Sequence, residues 1–330
     1  MPLAQSRSVR IGGTTVARTP LLLPSYSSRA LDRGPVRADS AAALADTVAR
    51  TMEIVVGPIL ISAYDLHNGA FDAATTRDGR PVFDSPLTFI DSGGYETLEE
   101  PDPAWTREAH AEALEKWHAD AQAVAVGFDT PDPDVGAQIA TALALLPDRR
   151  VGRELLLKPV PGAALSERGG MLDLIDQLRG HAAELKGLDV VGLTEKEAGS
   201  SLRQRLLTVA ALRRALDRQG SPLPIHYFGG LDPVLTPLFF LAGADVFDGL
   251  SWLRYAFADG QAHYIQPAAS LAFPDTDVKE AAWLIRRRNF FEVNRLQTGM
   301  QRFLVSGEPE HLHPSGRHLV SLAEQWGVRD

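Results

Sequence analysis

The chain has 330 residues, 45% of them hydrophobic and 23% charged, the proportions of an ordinary globular protein able to bury a sizeable core. A formal net charge of −9 excludes a generally basic protein, so any nucleic acid would have to meet a local basic patch. With no cysteine there are no disulfides and no thiolate metal sites. The opening residues lack the apolar core of a signal peptide and no apolar run is long enough to span a bilayer, so the expectation is a cytoplasmic protein with no membrane partner.

In chain order, short β-branched or leucine-rich runs recur at 21–25 (LLLPS), 53–62 (EIVVGPILIS), 87–91 (LTFID) and 123–129 (AVAVGFD). They continue at 154–160 (ELLLKPV), 188–193 (LDVVGL), 224–230 (PIHYFGG) and 244–250 (ADVFDGL). Between them, segments starting near 40, 104, 134, 171, 199 and 232 repeat apolar residues at three- and four-residue spacing, as amphipathic helices do. The crossover at 64–86 is rich in Asp, Gly and Thr and reads as a long loop. Eight strand signals alternating with crossovers predict one domain over 1–330. Its core is a closed (β/α)8 TIM barrel over about residues 20–265, with a helical C-terminal tail over about 276–330. A doubly wound open sheet is the alternative that the same alternation allows.

In such barrels the chemistry sits on the loops at the C-terminal ends of the strands. Asp91 ends the third predicted strand, Asp129 the fourth and Asp248 the eighth, so three carboxylates point into one mouth. A single strand-end Asp is usually a cap or turn residue, and Asp91 and Ser92 could cap a turn made possible by Gly93 and Gly94. Three such acids, two of them beside glycines, favour a site.

These residues carry a resemblance. The run DSGGYE (91–96), the segment GADVFDGLSWLRYAFADGQAHY (243–264), VVGLTEKE (190–197) and HYFGGLDP (226–233) are similar, in collinear order, to motifs of the tRNA-guanine transglycosylase superfamily. Arg254 stands six residues after Asp248, at that family's spacing, and 286–308 resembles its last long helix. The resemblance implies a pentosyltransferase that replaces guanine by a 7-deazaguanine base in tRNA (queuosine-type modification) or DNA. Asp248 would be the nucleophile that forms a covalent glycosyl-enzyme, and Asp91 the general acid/base, as in a retaining glycosidase pair. Asp129 would accept hydrogen bonds from the base's N–H donors, with Ser92, Gly229 and Arg254 in the same substrate site. Tyr95 and Phe228 would wall the base, Gly192 and Leu193 would offer it backbone groups, and Glu197 would orient that loop. Core packing is the plain alternative for the two aromatics.

The chain also departs from that family. The family's zinc site of three cysteines and a histidine has no counterpart, and residues 266–283 fill the corresponding region, so no cofactor or metal is expected. The tail histidines His311, His313 and His318 lack acidic companions and read as solvated. Lys158 or Pro161 stands near the place of a base-contacting glutamine, and Val191 replaces a loop glycine. Arg286, Arg287 and Arg288, with Arg295 and Arg302, form a basic cluster suited to phosphates, or a solvated helix face paired with Glu280 and Glu292. The family commonly pairs as a homodimer. The same chemistry on a free nucleoside or nucleotide, or a non-catalytic paralogue that binds a partner transglycosylase, are the alternatives.

Overall fold

The computed structural model describes residues 2–30, 38–51, 53–55, 57–71, 85–98, 101–115, 117, 122–145 and 151–328. A hairpin of β1 (Ser8–Ile11) and β2 (Thr14–Arg18) precedes the barrel strand β3 (Leu21–Tyr26). There follow α1 (Ala38–Thr51), β4 (Ile59–Ser62), α2 (Ala63–His67), β5 (Thr88–Asp91), α3 (Arg107–Glu115) and β6 (Ala123–Val126). Next come α4 (Val135–Ala144), β7 (Gly152–Leu156), α5 (Met171–Gln177), β8 (Val190–Thr194), α6 (Leu202–Arg218), β9 (Ile225–Phe228), α7 (Leu235–Leu241) and β10 (Val246–Gly249). Strands β3 to β10 pair in parallel in chain order, and β10 returns to β3, closing an eight-stranded (β/α)8 barrel. The open-sheet alternative is thereby removed.

All eight predicted strands are present; seven are shorter than predicted, and β3 runs one residue past its predicted end. The run at 53–62 is strand only over its last four residues, and the run at 154–160 is shifted two residues earlier. The predicted crossover loop at 64–86 begins as the helix α2, and residues 72–84 of that prediction lie outside the described set.

Strand polarity explains both the core and the site. Most barrel-strand residues are buried on both faces, which is why the strands read as continuous apolar runs. Alternate residues still part company. Leu21, Leu23, Phe89, Val124, Val126, Leu156, Val190 and Val246 pack inside the ring, joined by Val9 and Ile11 of the β1–β2 hairpin at its base. Leu22, Ile61, Ile90, Ala125, Leu155, Val191 and Phe247 pack outward with the helices. Continuing the inward parity upward brings Ser25, Asp91, Glu154, Gly192, His226, Phe228 and Asp248 to the upper interior.

Beyond β10 lie α8 (Ser251–Arg254), a hairpin of β11 (Tyr255–Ala258) and β12 (Gln261–Tyr264), and α9 (Ile265–Ala272). The helices α10 (Val278–Ser306), α11 (Pro309–Leu312) and α12 (Gly316–Gln325) form the predicted tail. The α10 helix starts at an Asp277 cap, ends at Gly307 in the left-handed region, and donates no strand. Its Asn289 binds the carbonyls of Trp252 and Tyr255 and the amide of Phe257, fixing the segment that follows the last barrel strand.

At the base, the fully buried Asp245 ties the ring together. Its carboxylate meets Arg7 at 2.8 Å, faces Arg213 at 3.6 Å and accepts the Ile225 amide at 2.9 Å, while its carbonyl accepts the Leu21 amide. Asp245→Ala leaves the buried Arg7 and Arg213 with only the more exposed Asp217 as counter-charge and should destabilise the protein by about 3–5 kcal/mol. Urea unfolding followed by circular dichroism measures it; a loss under about 1 kcal/mol would show that the network is dispensable.

Candidate active site

The loop after β5 is built around its acids. Asp91 closes the strand, and Ser92 turns back so that its Oγ donates to Asp129 Oδ1 at 2.7 Å. Gly94 lies so close to Asp129 that a Cβ there would stand 2.3 Å from Oδ2, so this turn admits no side chain. The Trp105 indole donates to the Ser92 carbonyl and backs the loop from outside. Ser92 Oγ also accepts the Gly94 amide at 3.3 Å, so Ser92 caps the turn as well as serving Asp129.

Asp248 sits near the top of β10 and is almost fully buried. Ser25 Oγ donates to its Oδ2 at 2.9 Å, and the Gly229 amide donates to Oδ1 at 2.8 Å. Gly229 has φ of 76°, which turns its N–H inward at little steric expense. Gly229 therefore holds the carboxylate rather than forming a separate contact surface.

Asp129 lies three residues past β6, with Lys158 Nζ 3.1 Å from its Oδ2. The same ammonium is 2.9 Å from Glu197 Oε1, and Glu197 Oε2 accepts from Thr194 Oγ1 at 2.7 Å. Lys158 thus bridges two acids. Burial alone would lower its pKa, but Asp129 and Glu197 raise it above the usual lysine value. A groove of about 1490 Å³ opens beside this trio, lined also by Pro161, Gln204 and Arg205.

Two further acids lie behind the loop. Glu96 is buried and accepts from Ser27 Oγ at 2.6 Å and Ser62 Oγ at 2.8 Å; Asp65 accepts the Ser28 amide at 2.8 Å. Burial raises the pKa of both, with Glu96 adding to the rise at Asp65, which is pushed up to about 8. Asp91 feels the same crowd. Burial first, then the charges of Glu96, Asp129 and Asp248, push its carboxyl well above the usual range, against one favourable contact from the Ser92 amide.

Sequence reading missed two residues of the interior. Glu154 of β7 and His226 of β9 are fully buried, with Glu154 Oε1 2.9 Å from His226 Nδ1 and His226 Nε2 3.4 Å from Asp248 Oδ1. The available signal was a polar residue at inward parity inside an apolar strand.

Other expectations need correction. Gly192 and Leu193 are strand residues of β8, not loop; the Gly192 carbonyl accepts from the Leu157 amide, and the Leu193 side chain is buried on the helix side. Phe228 is buried and stacks on His226, with ring centroids 3.7 Å apart, so one of its faces is already covered. Tyr95 is 38% exposed at the rim, where its hydroxyl accepts from Arg254 Nη2 at 3.1 Å and its carbonyl from Arg29. Arg286 is half-buried over the Trp283 ring and donates to the Leu253 carbonyl, leaving Arg287 and Arg288 as the exposed members of that run. His313 is buried rather than solvated, bonded to the Gly260 carbonyl and the Ser315 amide. Among the described residues, no helix is long and apolar enough to cross a membrane.

Comparison with known proteins returns no matching family model and no significantly similar curated protein.

The raised carboxyls have a thermodynamic consequence. A group with a folded pKa above its unfolded value stabilises the fold fully below the unfolded pKa, and that contribution is lost as pH climbs towards the folded one. For Asp65 the loss runs from about pH 4 to about pH 8. Asp65→Asn, whose amide oxygen can still accept from Ser28, should therefore raise Tm relative to the parent by an amount that grows across this window. Thermal scans at pH 4.5, 6 and 8 test it; a difference independent of pH would contradict the assignment.

Proposed function

We propose that this protein is a transglycosylase that exchanges a purine-type base on a ribosyl or deoxyribosyl unit, through a covalent glycosyl-aspartate at Asp248. The supporting observation is the contrast between two acids in one mouth. Burial and neighbouring carboxylates push the Asp91 carboxyl well above the usual range, whereas Asp248 is oriented by the Ser25 hydroxyl and the Gly229 amide. Carboxyls in such different surroundings suit an acid and a nucleophile.

In the first half-reaction an Asp248 oxygen bonds to the anomeric carbon as the glycosidic bond breaks. The bonding pair leaves with the base, which takes the proton of Asp91. In the second, the incoming base gives a proton to Asp91, attacks the anomeric carbon and expels Asp248. Water would end the cycle as hydrolysis, so the buried setting of Asp248 favours transfer. Asp129, Lys158 and Glu197 supply both acceptors and a donor for the edge of a base, and Tyr95 with Arg254 stands at the rim. A polynucleotide substrate would be met by the exposed Arg287 and Arg288 on α10. The sequence resemblance supports guanine, or a 7-deazaguanine, as the base, and tRNA or DNA as its carrier.

Labelled guanine offered with tRNA, duplex DNA and mononucleotides in parallel tests the reading and identifies the carrier. With the incoming base withheld, a denaturing gel should retain a protein–substrate band. Asp248→Asn should abolish the band and lower exchange by at least about 10³-fold, whereas Asp91→Asn should slow base departure with binding retained. Asp248→Asn exchanging at the parental rate refutes the nucleophile. Asp129→Ala should weaken exchange by about 1–3 kcal/mol, because donors on the bound base lose their acceptor; unchanged exchange would leave Asp129 a loop-building residue only.

A further inference from the structure

The interior holds one carboxylate that the proposed chemistry does not use. Glu154 is fully buried, its Oε2 has no hydrogen-bond partner, and its Oε1 reaches His226. A buried, half-satisfied carboxylate is unfavourable by several kcal/mol where a leucine would pack, so its contact with the imidazole needs a reason.

The barrel register supplies the geometry. Strand β8 separates Glu154 from His226, and its inward residue beside His226 is Gly192. A Cβ on Gly192 would lie 2.7 Å from Glu154 Oε1 and 2.5 Å from the Phe228 ring. The glycine thus leaves the passage through which the carboxylate crosses one strand. Phe228 covers one face of the imidazole and Phe89 meets it edge-on at 5.4 Å, so the ring is fixed. Its other nitrogen points at Asp248 Oδ1. Three strands therefore carry a carboxylate–imidazole–carboxylate line, fully buried at Glu154 and His226 and opening to the mouth at Asp248. The charged groups facing the ring are Glu154 on β7 and Asp248 on β10; β8 offers only Gly192, and Asp91 at the end of β5 feels the charge of Asp248.

We propose that Glu154 and His226 are positioning residues for Asp248: the ring, oriented by Glu154, pairs with Oδ1 beside the Gly229 amide, so that Oδ2 is the oxygen that bonds to the anomeric carbon. This rests on the transglycosylase reading above. Lone-pair accounting agrees. Oδ1 accepts from the Gly229 amide and faces His226 Nε2 at 3.4 Å, an ion-pair contact in which the ring nitrogen makes no hydrogen bond, whereas Oδ2 accepts only from Ser25 and keeps a lone pair for attack. A cation at Oδ1 also stabilises the carboxylate when the second half-reaction releases it. Burial would lower the His226 pKa, yet Glu154 and then Asp248 raise it to about 9, so the imidazolium persists at neutral pH.

The experiment has two readouts on the full chain. The first is NMR of ring-labelled histidine, with the His226 signal assigned by its loss in His226→Gln. The parent ring should remain an imidazolium through about pH 8, and Glu154→Gln and Asp248→Asn should each lower its midpoint by about one pH unit or more. Asp248→Asn perturbs only the mouth and covers the case of a poorly folded Glu154→Gln. The second is guanine exchange against pH. Glu154→Gln should keep its rate at pH 6 within about threefold while its alkaline limb moves down with the NMR midpoint. A purely structural role would lower the rate equally at every pH. A neutral parent ring at pH 7, a midpoint indifferent to both substitutions, or superimposable pH profiles would overturn the proposal. A ring that responds as expected in a protein forming no glycosyl adduct counts against the transglycosylase reading and leaves the clamp on Asp248 standing.

Discussion

Closure of the sheet between β10 and β3 is the constraint on which the rest depends. Parallel pairing sets Asp248 level with Leu23, two residues below Ser25, whose hydroxyl then reaches the carboxylate. Asp245 secures the lower end of this seam through the Leu21 amide, the Ile225 amide and two arginines. The buried Trp252 secures the upper end by donating its indole N–H to the Ser25 carbonyl. Without closure these residues would lie on opposite edges of an open sheet.

A closed ring also confines its charges. Asp91, Glu154, Asp248 and, just outside, Asp129, Glu96 and Asp65 share a small volume of low polarity, where like charges repel strongly. Three devices make the crowd tolerable. Cations are interposed, as Lys158 is between Asp129 and Glu197 and His226 is between Glu154 and Asp248. Hydroxyls are supplied, as Ser27 and Ser62 are to Glu96. Carboxyl pKa values are raised, as at Asp65 and Asp91, so that a proton is held more readily. Only the last device puts such a raised carboxyl, Asp91, at the mouth.

The barrel was legible in the sequence because both faces of each strand are buried, so every strand is an unbroken apolar run. That same fact concealed part of the site. Asp91, Asp129 and Asp248 stood out as acids at or just past the ends of apolar runs, whereas Glu154 begins a run and His226 sits within one, where neither looks like a strand-end residue. Asp245 and Asp248 share one short motif, and their opposite parity and places at opposite ends of β10 separate the structural acid from the one in the mouth. Gly192 looked like a loop glycine, although its role comes from a neighbour on another strand that no local pattern reveals. Arg286 looked like a phosphate ligand, although its guanidinium lies over Trp283, one turn earlier on the same helix.

Lys158 gives the mouth a resident guest. Its ammonium occupies oxygens of Asp129 and Glu197 that a ring N–H of the proposed substrate would seek. On the proposed function, an arriving base would not enter a vacant cradle; it would compete with a tethered cation that swings aside or joins in. Recognition would then be an exchange of partners, and selectivity would rest on how well a base's donor edge imitates, or its acceptor groups recruit, that one ammonium.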